Sequence, residues 1–179
     1  EDALARTVAL DERRPDAWKA LGDIRAELGD DRGSSNAYQQ HINLSAGNLE
    51  LVKAADALFA GKLSVAENLC RTFLKKEPGN VAAMRLLANV AVRLERLDDA
   101  EKLLTLCLEL APEFYAARFD YADLLLKQQR LREALVEIEN VLDAEPNRPS
   151  HLLFKASVLA ITGQTDEAIE IYDDVLQQF

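Results

Sequence analysis

Four alanines, Ala66, Ala100, Ala134 and Ala168, follow one another at intervals of 34 residues. Pro78, Pro112 and Pro146 keep the same interval in a second column. Four positions after each alanine stands a large apolar residue or a cysteine: Cys70, Leu104, Ile138 and Tyr172. Columns in register over about 100 residues mark tandem copies of one small unit. A unit of this size cannot bury an apolar face alone, so each copy must find its core by stacking on its neighbours.

Within a unit the apolar period is helical, and it occurs twice. Between residues 81 and 114, Met84, Leu87, Ala88 and Ala91 share one helix face. Leu97, Ala100, Leu103, Leu104 and Cys107 share a second. Asp98 is expected to cap the second helix through its free backbone N–H groups. Pro112, with no N–H to donate, is expected to stop it. Each unit then reads as two antiparallel helices of about three turns joined by a short turn. The composition agrees: 27 Ala and 30 Leu suit helices, and only 7 Gly and 5 Pro leave little room for the turns of an all-β chain.

These columns resemble the tetratricopeptide repeat, whose pattern opens W-x2-L-G, continues A-x3-F and closes on Pro. Trp18, Leu21 and Gly22 supply the opening. The resemblance implies an all-α fold, a right-handed superhelical solenoid of antiparallel helix pairs. It divides the chain into repeats 15–46, 47–80, 81–114, 115–148 and 149–179, with 1–14 as the second helix of a preceding repeat (apolar stripe Leu4, Val8, Leu10). The first repeat is irregular, with Ser34 in the alanine column and no closing proline. In the second, Glu50 and Lys53 stand where apolar residues are usual, so Leu51, Ala55 and Leu58 are expected to carry the stripe instead. The chain opens Glu1-Asp2-Ala3-Leu4 without Met, and the last helix offers Ile169, Tyr172, Val175, Leu176 and Phe179 with no polar cap after it. Both ends read as those of an excerpt, whose uncapped terminal helices offer a surface for self-association.

No stretch approaches the roughly 18 apolar residues of a membrane span, and no signal peptide opens the chain, so no membrane partner is expected. Two cysteines suit a reducing, cytoplasmic setting better than a disulfide framework. The net charge of −10 disfavours nucleic acid. By repeat it runs −3 over 1–46, +1 over 47–80, −2 and −2, then −4 over 149–179.

No phosphate-cradling glycine loop or ligand-spaced metal cluster is found. His41 and His151 are read as structural or surface residues, Cys70 and Cys107 as buried thiols, and Asp98-Asp99 and Asp173-Asp174 as caps or solvated faces. No cofactor, metal or catalytic residue is expected in this segment.

Chemistry then rests on recognition. The resemblance implies that first helices line a concave surface, and it places Arg85, Asn89 and Arg93 there from the third repeat. The fourth adds Phe119, Asp123 and Lys127, and the fifth adds Leu153 and Ser157. Such a face implies a protein–protein interaction scaffold for a peptide or domain. Chaperone-adaptor members of the family grip a C-terminal carboxylate with a basic residue and Asn on one repeat, Asn on the next and basic residues on a third. Arg85 and Asn89 match the first pair. Asp120, Ser150 and Phe154 stand where the remainder should be, and an aspartate there is expected to repel the ligand.

A narrower resemblance covers Leu49 to the end, which is similar to the helical region preceding the catalytic domain of bacterial sulfotransferases that carry tetratricopeptide repeats. The runs that carry it are Ala-Leu-Phe-Ala-Gly-Lys-Leu at 57–63, Arg-Leu-Leu-Ala-Asn-Val-Ala at 85–91, the Leu-rich run 103–112 and Ala-Ala-Arg at 116–118. It implies, as the alternative function, a non-catalytic, substrate-recruiting accessory domain with the enzyme C-terminal to residue 179.

Overall fold

The computed structural model describes residues 15–28, 30, 33, 34, 37 and 49–178. The segment 1–14, all of 38–48 including His41, and Phe179 lie outside the described residues. Among those described, all regular structure is helical. They belong to two compact units, 1–56 and 57–179.

In the first unit, α1 (Pro15–Glu27) buries Ala17 and Leu21 against Ala37, with Trp18 packed on them. Ser34 is buried, so the small-residue position tolerates a hydroxyl. Residues 49–59 form α2, whose last three residues, Ala57 to Phe59, already belong to the second unit. Its most buried residues are Ala54, Ala57 and Leu58, while Leu51 is half-buried and Ala55 likewise. The expected stripe is therefore corrected at two of its three positions. Charged Glu50 and Lys53 displace the inward face to an i, i+3, i+4 set made largely of alanines.

The second unit contains α3 (Leu63–Lys76), α4 (Val81–Arg93), α5 (Leu97–Leu110), α6 (Tyr115–Lys127), α7 (Leu131–Ala144), α8 (Pro149–Ile161) and α9 (Thr165–Gln178). Each packs on the next in sequence, and α4 also touches α6. The first helices α4 and α6 are thus neighbours across repeats. Ala66, Ala100, Ala134 and Ala168 are all buried in second helices. Ala88, Ala122 and Ala156 form a matching buried column in first helices. Methyl-sized side chains at both contacts let the helix axes approach closely. Cys70, Leu104 and Ile138 fill the space between, fully buried, and Tyr172 is half-buried.

A further column at the same spacing shapes the turns. Gly61, Glu95, Gln129 and Gly163 all adopt positive φ, at 72°, 58°, 63° and 86°. In each turn the next residue's N–H reaches back five residues to a helix carbonyl: Lys62 to Ala57, Arg96 to Ala91, Arg130 to Leu125 and Gln164 to Leu159, at 2.8–2.9 Å. This six-residue closure ends a helix by way of a left-handed residue. It also corrects the role of Asp98. The turn closes early enough for α5 to start at Leu97, with Arg96 at the cap position and no side-chain cap. Asp98 and Asp99 lie inside the first turn, where their charge still favours the helix dipole. Pro112 follows the end of α5 at Leu110, beyond the cap residue Ala111.

The Arg96 side chain binds Glu67 of the preceding second helix at 2.7 Å, and Arg130 binds Glu101 at 2.5 Å in the next repeat. These arginine bonds hold the Glu67 and Glu101 carboxyls below their usual range. Burial pushes the Cys70 thiol up to about 11, an unreactive state.

Candidate functional site

The eight residues expected on the first-helix face form three local groups. They do not converge on one point.

The first group joins α4 to α6. Arg85 Nε donates to Asp120 Oδ2 at 2.6 Å, and Asn89 Nδ2 donates to the same oxygen at 2.8 Å. The Asp120 side chain is only 14% exposed, against 35% for Arg85. The Arg85 guanidinium also lies over the Phe114 ring, 5.8 Å from its centroid. Sequence reasoning placed Asp120 as a residue that repels a ligand carboxylate. The structure shows it as the carboxylate that Arg85 and Asn89 hold. Charge-assisted bonds of this length outweigh ordinary ones, so both donors are committed within the protein.

The second group lies at the ends of first helices. Arg93 is exposed and donates from Nη1 to the Leu58 carbonyl at 2.7 Å. Lys127 pairs with Asp123 one turn earlier on α6, and both remain about two-fifths exposed. An exposed i, i+4 pair contributes only about 0.3–0.5 kcal/mol and opens easily.

The third group joins α6 to α8. Phe119 lies 4.7 Å from the His151 ring and 5.2 Å, edge-on, from Phe154. Leu153 is exposed, while Ser157 donates to the Leu153 carbonyl at 2.8 Å and lies 3.1 Å from the Tyr172 hydroxyl. His151 is 5% exposed, and its Nδ1 has no hydrogen-bond partner. Glu145 Oε2 stops 3.7 Å from that nitrogen. Burial depresses the imidazole below its usual pKa, the nearby Arg148 charge adds to this and Glu145 opposes it.

Sequence reasoning missed Phe59 and Ile161 on this face. Both keep the 34-residue interval with Arg93 and Lys127, so the spacing was the signal that could have found them. It also left His151 unassigned to the aromatic joint, because a histidine in a helix carries no sign of what lies across from it.

Among the described residues no group of three or more His, Cys, Asp or Glu side chains is placed to hold a metal ion. No helix among them is long and apolar enough to cross a membrane. A cavity of about 260 Å3 lies between α3, α4 and α5, walled by Glu67, Arg71, Leu87, Arg96 and Lys102. Glu67 pairs with both arginines of that wall.

Two family profiles, both described as tetratricopeptide repeat, match the chain. One covers residues 86–142 and 119–179, and the other covers 57–106. Solved structures share the fold. The thermophilic protein TTC0263 of Thermus thermophilus superposes with a TM-score of 0.68 at 17% identity, over 92% of this chain and 91% of that one. YrrB, described as a tetratricopeptide repeat protein with an unusual peptide-binding site, gives 0.62 at 18% identity over 98% and 91%. The O-GlcNAc transferase of Thermobaculum terrenum gives 0.61 at 18% identity, over 64% of this chain but 22% of the enzyme. No curated protein sequence matches the chain.

Proposed function

This chain belongs to the tetratricopeptide repeat family, and from that premise we propose that it is an interaction scaffold whose concave, first-helix face binds a peptide segment of a partner protein. One observation carries the reading. Arg93, Lys127 and Leu153 stand exposed at fixed helix positions on that face, above joints already closed by Arg85–Asp120 and Phe119–Phe154. Side chains carried on packed helices lose little backbone freedom on binding, which suits a recognition surface. The peptide-binding description of YrrB adds support from a protein of the same fold. Buried free thiols at Cys70 and Cys107 fit a reducing, cytoplasmic setting. The test is binding of a peptide library to the wild type and to Arg85→Ala, Phe119→Ala and Lys127→Ala, each checked for helix content. Affinities unchanged in all three variants remove this face from consideration.

A second reading is an accessory, substrate-recruiting domain of a transferase, specifically a sulfotransferase. It is favoured by the sulfotransferase-like runs at 57–63 and 85–91 and by a fold neighbour that is itself part of a transferase. The full-length reading frame decides it. A following α/β domain of about 250 residues supports it, and further repeats or a stop codon removes it.

A further inference from the structure

Phe59, Arg93, Lys127 and Ile161 stand 34 residues apart, and each is the last helical residue of its first helix. All four are exposed: Phe59 at 81%, Ile161 at 56%, the Lys127 side chain at 44%, and Arg93 also. The Arg93 bond to the carbonyl of Leu58 ties the first two members together. The Phe119–Phe154 contact ties the helices that carry the last two.

We propose that this row is a reading edge for an extended acidic segment of a partner protein, in which two carboxylates are flanked on both sides by large apolar residues. The proposal rests on the scaffold reading above and names its ligand chemistry. Charge complementarity carries it. The protein is acidic, at −10, yet the two central members of the row are cations. Arg85 is committed to Asp120, so it is closed to an external acid. Arg93 bonds a neutral carbonyl and pairs with no carboxylate among the described residues. Lys127 gives up only a weak exposed pair when a ligand carboxylate takes the place of Asp123. A basic residue in a last helical turn is also explained by the helix dipole. That explanation does not account for an exposed Phe and an exposed Ile in the same register at either end.

Spacing sets the ligand's pattern. Packed helices lie about 8–10 Å apart, and an extended strand rises about 3.3 Å per residue. Successive anchors therefore fall about three residues apart. The direct probe is a fluorescein-labelled peptide, Leu-Ser-Gly-Glu-Ser-Gly-Glu-Ser-Gly-Phe, titrated by anisotropy at low and moderate salt. Lysine-for-glutamate and serine-for-apolar versions serve as controls. The expected result is saturable binding that weakens with salt. Arg93→Glu should weaken it by about tenfold, and Phe59→Ser and Lys127→Glu by several-fold each. The double variant Arg93→Glu/Lys127→Glu should prefer the lysine peptide.

Four outcomes overturn the row: no binding of the glutamate peptide at about 1 mM, equal binding of the lysine peptide, tighter binding of a single-stranded oligonucleotide, or tighter binding of a helical peptide with its anchors a heptad apart. The two levels separate cleanly. Library ligands lost with Phe119→Ala but untouched by Arg93→Glu and Phe59→Ser sink the row and leave the scaffold. Ligands indifferent to every substitution on this face sink both.

Discussion

The joint between α4 and α6 and the joint between α6 and α8 occupy equivalent places in successive repeats and are built from opposite materials. At the first, a guanidinium and an amide share one mostly buried carboxylate. At the second, two phenylalanines and a neutral histidine meet ring to ring. A polar lock fixes geometry, but its desolvation cost offsets much of its attraction. An aromatic joint gains from buried area and is less exacting about angle. The repeat register decides where neighbours meet, and the side chains decide whether the meeting is rigid or merely tight.

The largest expected effect comes from breaking the aromatic joint. Phe119→Ala should cost about 2–3 kcal/mol in urea unfolding, because removing a half-buried ring leaves both partners without a surface to pack on. A loss under about 1 kcal/mol would show that the ring contacts do not persist in solution. Breaking the polar joint should cost less. Asp120→Ala is expected to lose about 1–2 kcal/mol, since it strands two donors that are still partly reachable by water. Arg85→Ala with Asp120→Ala should cost less than the sum of the singles, with a coupling near 1 kcal/mol. Strict additivity would deny the 2.6 Å bond between Arg85 and Asp120.

Acidity should separate the joints next. His151 has a lowered pKa in the fold, so the unfolded chain binds its proton first as pH falls. Stability should therefore fall from about pH 6.5 downward and level off below the depressed folded value. The melting temperature of the wild type should show this slope and His151→Gln should lose it, while Asp120→Ala keeps it. The lowered carboxyls of Glu67 and Glu101 act separately. Their stabilisation is complete above the ordinary carboxyl range and is lost as pH falls through their own lower values.

Much of this was legible in the sequence, and the reasons are specific. Columns such as Ala66–Ala100–Ala134–Ala168 report a contact that recurs, so a period alone locates the helices and their buried faces. The Arg96–Glu67 pair recurs one repeat on as Arg130–Glu101, but the partners at the two first-helix joints do not recur. Nothing in the one-dimensional pattern says that Asp120 turns toward Arg85 or that His151 meets Phe119. Both contacts depend on which residue of the next helix happens to face the pair. The Asp98 reading failed on a smaller scale, because the turn closes through the backbone at Glu95 and Arg96 and needs no side-chain cap.

The smallest expected effect asks whether the two joints also differ in the turns beside them. Gln129 follows α6 and Gly163 follows α8, both at positive φ. A Cβ built on Gly163 meets nothing within 4 Å. Any cost of Gly163→Ala is then backbone strain alone, about 1 kcal/mol. The reverse change, Gln129→Gly, removes the same strain but gives the unfolded chain more freedom, so a net gain of about 0.5 kcal/mol is expected. Opposite signs of this size mean that the turns are interchangeable and that the contrast between the joints lies in their side chains. A destabilising Gln129→Gly would instead mean that Gln128–Gln129 anchors the polar side through its own contacts, such as the Gln128 bond to Glu101 at 2.9 Å.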